Sequence, residues 1–152
     1  MAAGNWIIYD SAKKLLCNGG IDFDTDTLKM ALVTSSYTPA LTHTQWSDVS
    51  ANELANGSGY TTGGATVAGT VTNSGSTTKL SASADPSWTA SGASLTVKYA
   101  VLYKSGSGGG LTNPLVGYVA LDTASTVTVT DGTQLIVGTP SGGFWDLTGA
   151  TS

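Results

Sequence analysis

Ala93-Ser-Leu-Thr-Val-Lys-Tyr-Ala-Val-Leu-Tyr-Lys104 sets Leu95, Val97, Tyr99, Val101 and Tyr103 against Thr96, Lys98, Ala100, Leu102 and Lys104. A side-chain period of two marks a β-strand with one buried face, and Val, Tyr and Thr suit a pleated surface. Ala100 and Leu102 on the other side predict that the second half is covered on both faces, as in one layer of a sandwich. The stretch therefore reads as a central strand.

Its surroundings read as more strand and more turn. Leu28–Val33 (LKMALV) is a second strongly apolar strand. Segments 66–72, 78–82, 115–121, 126–130 and 133–137 recur at the spacing expected of sandwiches and barrels. Asp131-Gly132 between the last two is a hairpin signal, because a type I′ turn needs two residues tolerant of positive φ. Ser105–Gly110 reads as a flexible loop within the domain.

Upstream, Asp10 followed by SAKKLLC and then Asn18-Gly19-Gly20 describes a two-turn helix with an acidic N-cap, Tyr9, Ala12 and Leu16 sharing one face with Leu15 flanking it. Cys17 in that helix reads as a buried, inert thiol. Ile21–Asp26 alternates strictly, which suggests an exposed strand edge whose acids discourage aggregation. Its D-x-D-x-D pattern resembles the start of a calcium loop, but Thr27 stands where the loop needs Gly and Val33 where it needs Glu. Trp46 and Val49 are expected to anchor a helical turn or two, and His43 to be a solvated or hydrogen-bonded loop residue. Asn56–Gly64 lacks the Lys of a phosphate-binding loop and reads as a tight crossing in which backbone approaches backbone, with Tyr60 inserted between layers.

Composition narrows the function. At 152 residues the chain is expected to form one domain, 1–152, and only 11% of its residues are charged. The formal charge is −4, and the six cations are all Lys and mostly scattered, a poor basis for nucleic-acid binding. One Cys makes no intrachain disulfide. The N-terminus lacks a basic signal region and no apolar run approaches a membrane span, so cytoplasmic synthesis and no membrane partner are expected. No G-x-S-x-G, no Cys/His metal spacing and no recognisable nucleophile–base pair occurs, so neither an enzyme nor a cofactor is expected. Four Trp and six Tyr would suit a sugar platform, yet cores and oligomer interfaces use the same residues.

Trp6-Ile-Ile-Tyr-Asp-Ser-Ala-Lys-Lys-Leu-Leu16, Ile21 to Leu32 and Ser36-Tyr-Thr-Pro39, continued by Gly57–Gly64, Trp88–Gly92, Tyr99–Tyr103 and Pro114–Tyr118, resemble a widespread family of small virion proteins of tailed bacteriophages. The match runs in order over nearly the whole chain and departs from the family around Thr139 to Asp146. The resemblance implies a capsid cement, or decoration, protein: a jelly-roll-like β-sandwich with a short N-terminal helix that binds the outside of the head. Its partner would be the major capsid protein, with dimers or trimers on symmetry axes. Trp6, Ile7, Ile8 and Trp145 are the expected apolar protein contacts. The rival expectation is a tail or fibre module that binds a host receptor or glycan.

Overall fold

The computed structural model describes residues 2–148; Met1 and residues 149–152, the ends of the expected 1–152 domain, lie outside it. In chain order the elements are β1 (Ile7–Ile8), α1 (Asp10–Cys17), β2 (Leu28–Val33), 3₁₀ turns Trp46–Asp48 and Ser50–Asn52, β3 (Ala65–Val67), β4 (Gly69–Ser74) and β5 (Thr77–Ala82). They continue with β6 (Ser87–Thr89), β7 (Leu95–Val97), β8 (Tyr99–Lys104), β9 (Ser107–Gly108), β10 (Leu111–Thr112), β11 (Leu115–Ala120), β12 (Val127–Val129), β13 (Gln134–Ile136) and β14 (Trp145–Thr148). Every pairing among the described strands is antiparallel. The expected all-β class with one short helix is what forms.

The main sheet runs β1-β11-β8-β2-β3, which puts β8 in the middle. Both its faces are covered. Met30, Leu32, Ala100, Leu102 and Val116 belong to the larger core. On the other face Ala31, Val33, Val101 and Tyr103 pack with Tyr9, Ala12, Tyr37 and Val49. A second sheet, β14-β5-β4, and three two-stranded ribbons complete the architecture.

The opening stretch is not one strand, because the chain changes sheets at Lys98. β8 pairs with β11 and β7 with β12, but between Ala120↔Tyr99 and Val127↔Val97 one side takes seven steps and the other two. The excess loops out at residues 122–126 and Lys98 ties it down: its N–H donates to Val33 O (2.9 Å), and its Nζ donates to the carbonyls of Asp122 (2.7 Å) and Ser125 (2.6 Å). The hairpin expected at Asp131-Gly132 also needs correction. The turn forms, closed by Thr133 N–H to Thr130 O at 2.9 Å, but β12 pairs with β7 and β13 with β6 instead of with each other. It is the corner of a long ribbon, anchored by Gly92 N–H on Asp131 Oδ1 (2.8 Å).

Further expectations change. Tyr9, not Asp10, stands at the N-cap of α1; Asp10 lies in the first turn and accepts from Lys13 Nζ (2.8 Å). Ala12 and Leu15 face inward, Leu16 is half-buried, and Cys17 is exposed rather than buried. Residues 21–26 are a turn, not a strand. Ile21 and Phe23 bury their side chains from it, while Asp26 Oδ2 accepts the Asp22 N–H (2.8 Å) and pairs with Lys104 Nζ (2.7 Å). Ser105–Gly110 contributes to a small hairpin, β9/β10, that presses on α1: a side chain at Gly109 would strike Leu15.

The crossing at 56–64 forms as read. Tyr60 is 2% exposed; its hydroxyl donates to Glu53 Oε1 (2.6 Å) and accepts the Leu32 N–H (3.2 Å). Tyr60→Phe leaves that buried N–H without a partner, and a loss of about 2 kcal/mol in urea unfolding is expected.

Carboxylates that cap backbone turns give the fold an acid limit. Thr44 N–H, with help from Gln45 N–H, holds Asp48 below its ordinary 3.8. Ala124 N–H and the Ser125 hydroxyl do the same for Asp122. A carboxyl depressed in the folded state stabilises fully above its unfolded value and stops doing so as pH falls through the folded one. The unfolding midpoint is therefore expected to be flat above pH 5 or so and to drop below about pH 4 in an acid titration followed by circular dichroism.

Candidate protein-contact face

Gly117 determines where Trp145 sits. Any side chain at Gly117 would collide with the indole ring, so the absence of a Cβ in the middle of β11 opens a seat for it. The ring meets Trp6 at 6.3 Å, Phe144 at 5.8 Å and Phe23 at 6.4 Å between centroids, and Trp6 meets Phe144 edge-on at 4.7 Å. Both Trp side chains are half-buried against the main core. The Trp145 Nε1–H is enclosed and finds no acceptor among the described residues.

In the β14-β5-β4 sheet, directly paired residues share a face. One face carries Trp145, Leu80 and Val71, then Leu147, Thr78 and Asn73. The opposite face carries Asp146, Lys79 and Thr72 and is polar. The apolar face overhangs the C-terminal end of α1 and the 19–24 turn without closing on them. A cleft remains, in two halves that share Leu16, Leu80 and Leu147. The half toward β1, about 220 Å³, adds Ile8, Lys13, Cys17 and Trp145. The half toward β4, about 370 Å³, adds Ile21, Phe23, Val71, Asp22 and Asp24. Leu147 is 62% exposed and Val71 40%.

Of the four residues expected to make contacts, the structure brings Ile8 and Trp145 into the cleft and sets Trp6 behind Trp145. Trp6 also lines a separate apolar recess of about 220 Å³ with Leu121, Val127 and the exposed Ile136. Ile7 goes elsewhere, since it pairs with Tyr118 one residue out of phase with Ile8. Leu16, Leu80 and the exposed Leu147 were not among the expected contacts. The alternation in Trp145-Asp-Leu-Thr148 carries the signal, for it puts Leu147 beside Trp145 and Asp146 outside.

The charged rim of the cleft is uneven. Asp22 is held below its ordinary value by hydrogen bonds with Thr25 and Asp24, while Asp24 is pushed up by its hydrogen bond to Asp22. Among the described residues neither pairs with a cation; the ion pairs are Lys13–Asp10 and Lys104–Asp26.

Away from the cleft, His43 Nδ1 meets the Tyr37 hydroxyl at 2.9 Å, and that hydroxyl meets Tyr9 Oη at 2.8 Å. Burial pushes both phenols up from their ordinary value. Trp46 stacks on Tyr103 at 4.5 Å, and burial, with the Glu53 carboxylate, raises the Tyr103 phenol to about 12. This cluster covers the outer face of the main sheet. His43 and Cys17 lie on different elements, in the two separate settings described. Among the described residues no group of three or more His, Cys, Asp or Glu is placed to hold a metal ion, and no helix is long and apolar enough to cross a membrane.

No family model matches the chain, and neither a curated protein nor a solved structure matches it.

Proposed function

We propose that this chain is a capsid cement protein of a tailed bacteriophage, held on the outer surface of the head by contacts with the major capsid protein and acting as a dimer or trimer. A jelly-roll-like sandwich is the arrangement that this reading gives the antiparallel sheets. The observation that carries it is the cleft: half-covered Trp145 and Ile8 with exposed Leu147 form an apolar face rimmed by polar residues, the anatomy of a protein contact. The phage assignment itself rests on the resemblance in sequence. A surface poor in charge and rich in Ser and Thr suits wet contacts that are each weak and summed over many copies. Cement function is mechanical, bridging neighbouring capsomers against internal pressure.

A glycan-binding tail module requires aromatic rings open to solvent. All four Trp and all six Tyr are buried or half-buried, which weighs against that reading.

Purified virions decide between them. Cement predicts the high copy number of a surface lattice on a quantitative gel and heads that lose heat resistance when the protein is missing. A handful of copies confined to the tail, or heads equally robust without it, sinks the proposal. Within this reading, Leu147→Asp is expected to reduce attachment to heads about tenfold or more, the cost of setting a charge against a site meant for a buried leucine. Because Leu147 is exposed in the free protein, its unfolding midpoint should move by no more than about 2 °C.

A further inference from the structure

The cleft has charge of one sign at each end and apolar walls between them. Lys13 stands at the β1 end, already paired with Asp10. Asp22 and Asp24, two residues apart in the chain, both line the β4 end and have no cation partner among the described residues. Leu16, Leu80 and Leu147 run through both halves. Two adjacent carboxylates repel when both are ionised, and a cation between them relieves that repulsion.

We infer that the cleft binds a segment of a partner protein that lays aliphatic side chains against Leu16, Leu80 and Leu147 and sets a Lys or Arg between Asp22 and Asp24. This rests on the reading of the face as a protein contact and specifies what the face recognises. Charge complementarity at the acidic end selects the occupant, and the apolar walls supply the burial.

The residues that follow β14 in this sequence do not supply such a segment. Residues 149–152, Gly-Ala-Thr-Ser, carry neither a bulky aliphatic side chain nor a cation. A second copy is no better suited. Lys13 and Lys104 are in ion pairs, and Lys98 is held by two carbonyls. Lys14 belongs to α1 and Lys29 to β2, which is paired on both edges. Lys79 lies in the middle strand of its sheet, on the polar face. None stands on an open extended segment beside exposed aliphatic residues.

The test titrates the intact protein, labelled with ¹⁵N, with three short synthetic peptides: two leucines alternating with threonine, followed by lysine, glutamate or serine. The lysine peptide is expected to shift the amides of Leu16, Leu80 and Leu147 and to bind about fivefold or more tighter than the glutamate peptide, with the preference fading as salt rises. In Asp22→Asn/Asp24→Asn, with circular dichroism confirming the fold, the three peptides should bind alike. Equal binding of all three to the unsubstituted protein, binding of none, or shifts mapped elsewhere overturns the inference. So does concentration-dependent self-association that moves the same amides, since a second copy is then the occupant. Virion copy number is independent of this titration: a cement protein that ignores the lysine peptide refutes the partner chemistry alone, and a lysine-selective protein absent from heads refutes the cement reading alone.

Discussion

Gly64→Ala is expected to cost about 4 kcal/mol or more and to leave little folded protein at 37 °C. Gly64 has φ +74°, and a Cβ there would fall inside the Met30 carbonyl and crowd the Ala31 backbone. The left-handed conformation alone costs an L side chain about 1–2 kcal/mol. The collision adds more, because what must move is the backbone of β2, fixed by β3 on one edge and β8 on the other. Gly63→Ala is the control. Its φ is also positive, at +92°, but a Cβ there meets only Lys29 Nζ and Tyr103 Oη, each at 3.7 Å. About 1–2 kcal/mol is expected for it, from conformation alone. Urea unfolding of the pair separates strain from collision; equal losses would mean that β2 yields easily and that the close approach is unimportant.

Leu102→Ala is expected to cost about 3–4 kcal/mol, the second large effect. Leu102 has no exposure and lies across from Met30 on one neighbour and Gly117 on the other. Truncation removes transfer free energy and leaves a cavity that cannot collapse, since β8 is pinned on both edges. Leu147→Ala removes the same atoms from a side chain that is 62% exposed, and a change within about 0.5 kcal/mol is expected. The contrast, read by chemical denaturation, measures how much of the fold depends on the middle of the main sheet. A loss below about 1 kcal/mol at Leu102 would mean that the core repacks around the gap.

The parts of this architecture legible in the sequence are those specified by continuous burial. Leu28–Val33 and Tyr99–Lys104 announce themselves because both their faces are apolar, and they pair with each other over their whole length. Asn56–Gly64 was equally plain, since glycines flanking one Tyr have few other uses. The break at Lys98 was invisible because Val97 and Tyr99 keep the period of two while the partner strand takes its extra residues elsewhere. Asp131-Gly132 reported a reversal truthfully and said nothing of pairing, since turn chemistry is local and strand partners are not. Ile21–Asp26 imitated a strand because Ile21 and Phe23 both reach the core from a turn that Asp26 closes through the Asp22 N–H. Cys17 could have been placed, for at 100° per residue it lies well round the helix from Ala12. Of the cleft lining, Ile8 and Trp145 stood out by residue type, whereas Leu16, Leu80 and Leu147 did not. The cleft itself was not legible, because it depends on how a sheet, a helix and a turn fail to close on one another.

The order β1-β11-β8-β2-β3 has a consequence in time. Ile7 and Ile8 pair with Tyr118 and Gly117, and β5 pairs with both β4 and β14. A ribosome must therefore deliver most of the polypeptide before its first strand has a neighbour, and nearly all of it before the β14-β5-β4 sheet is whole. Loop closures this long make for slow folding, in milliseconds to seconds. Until then the newborn chain keeps Ile7, Ile8 and its aromatic neighbours uncovered, and that interval is when chaperones and aggregation compete for it.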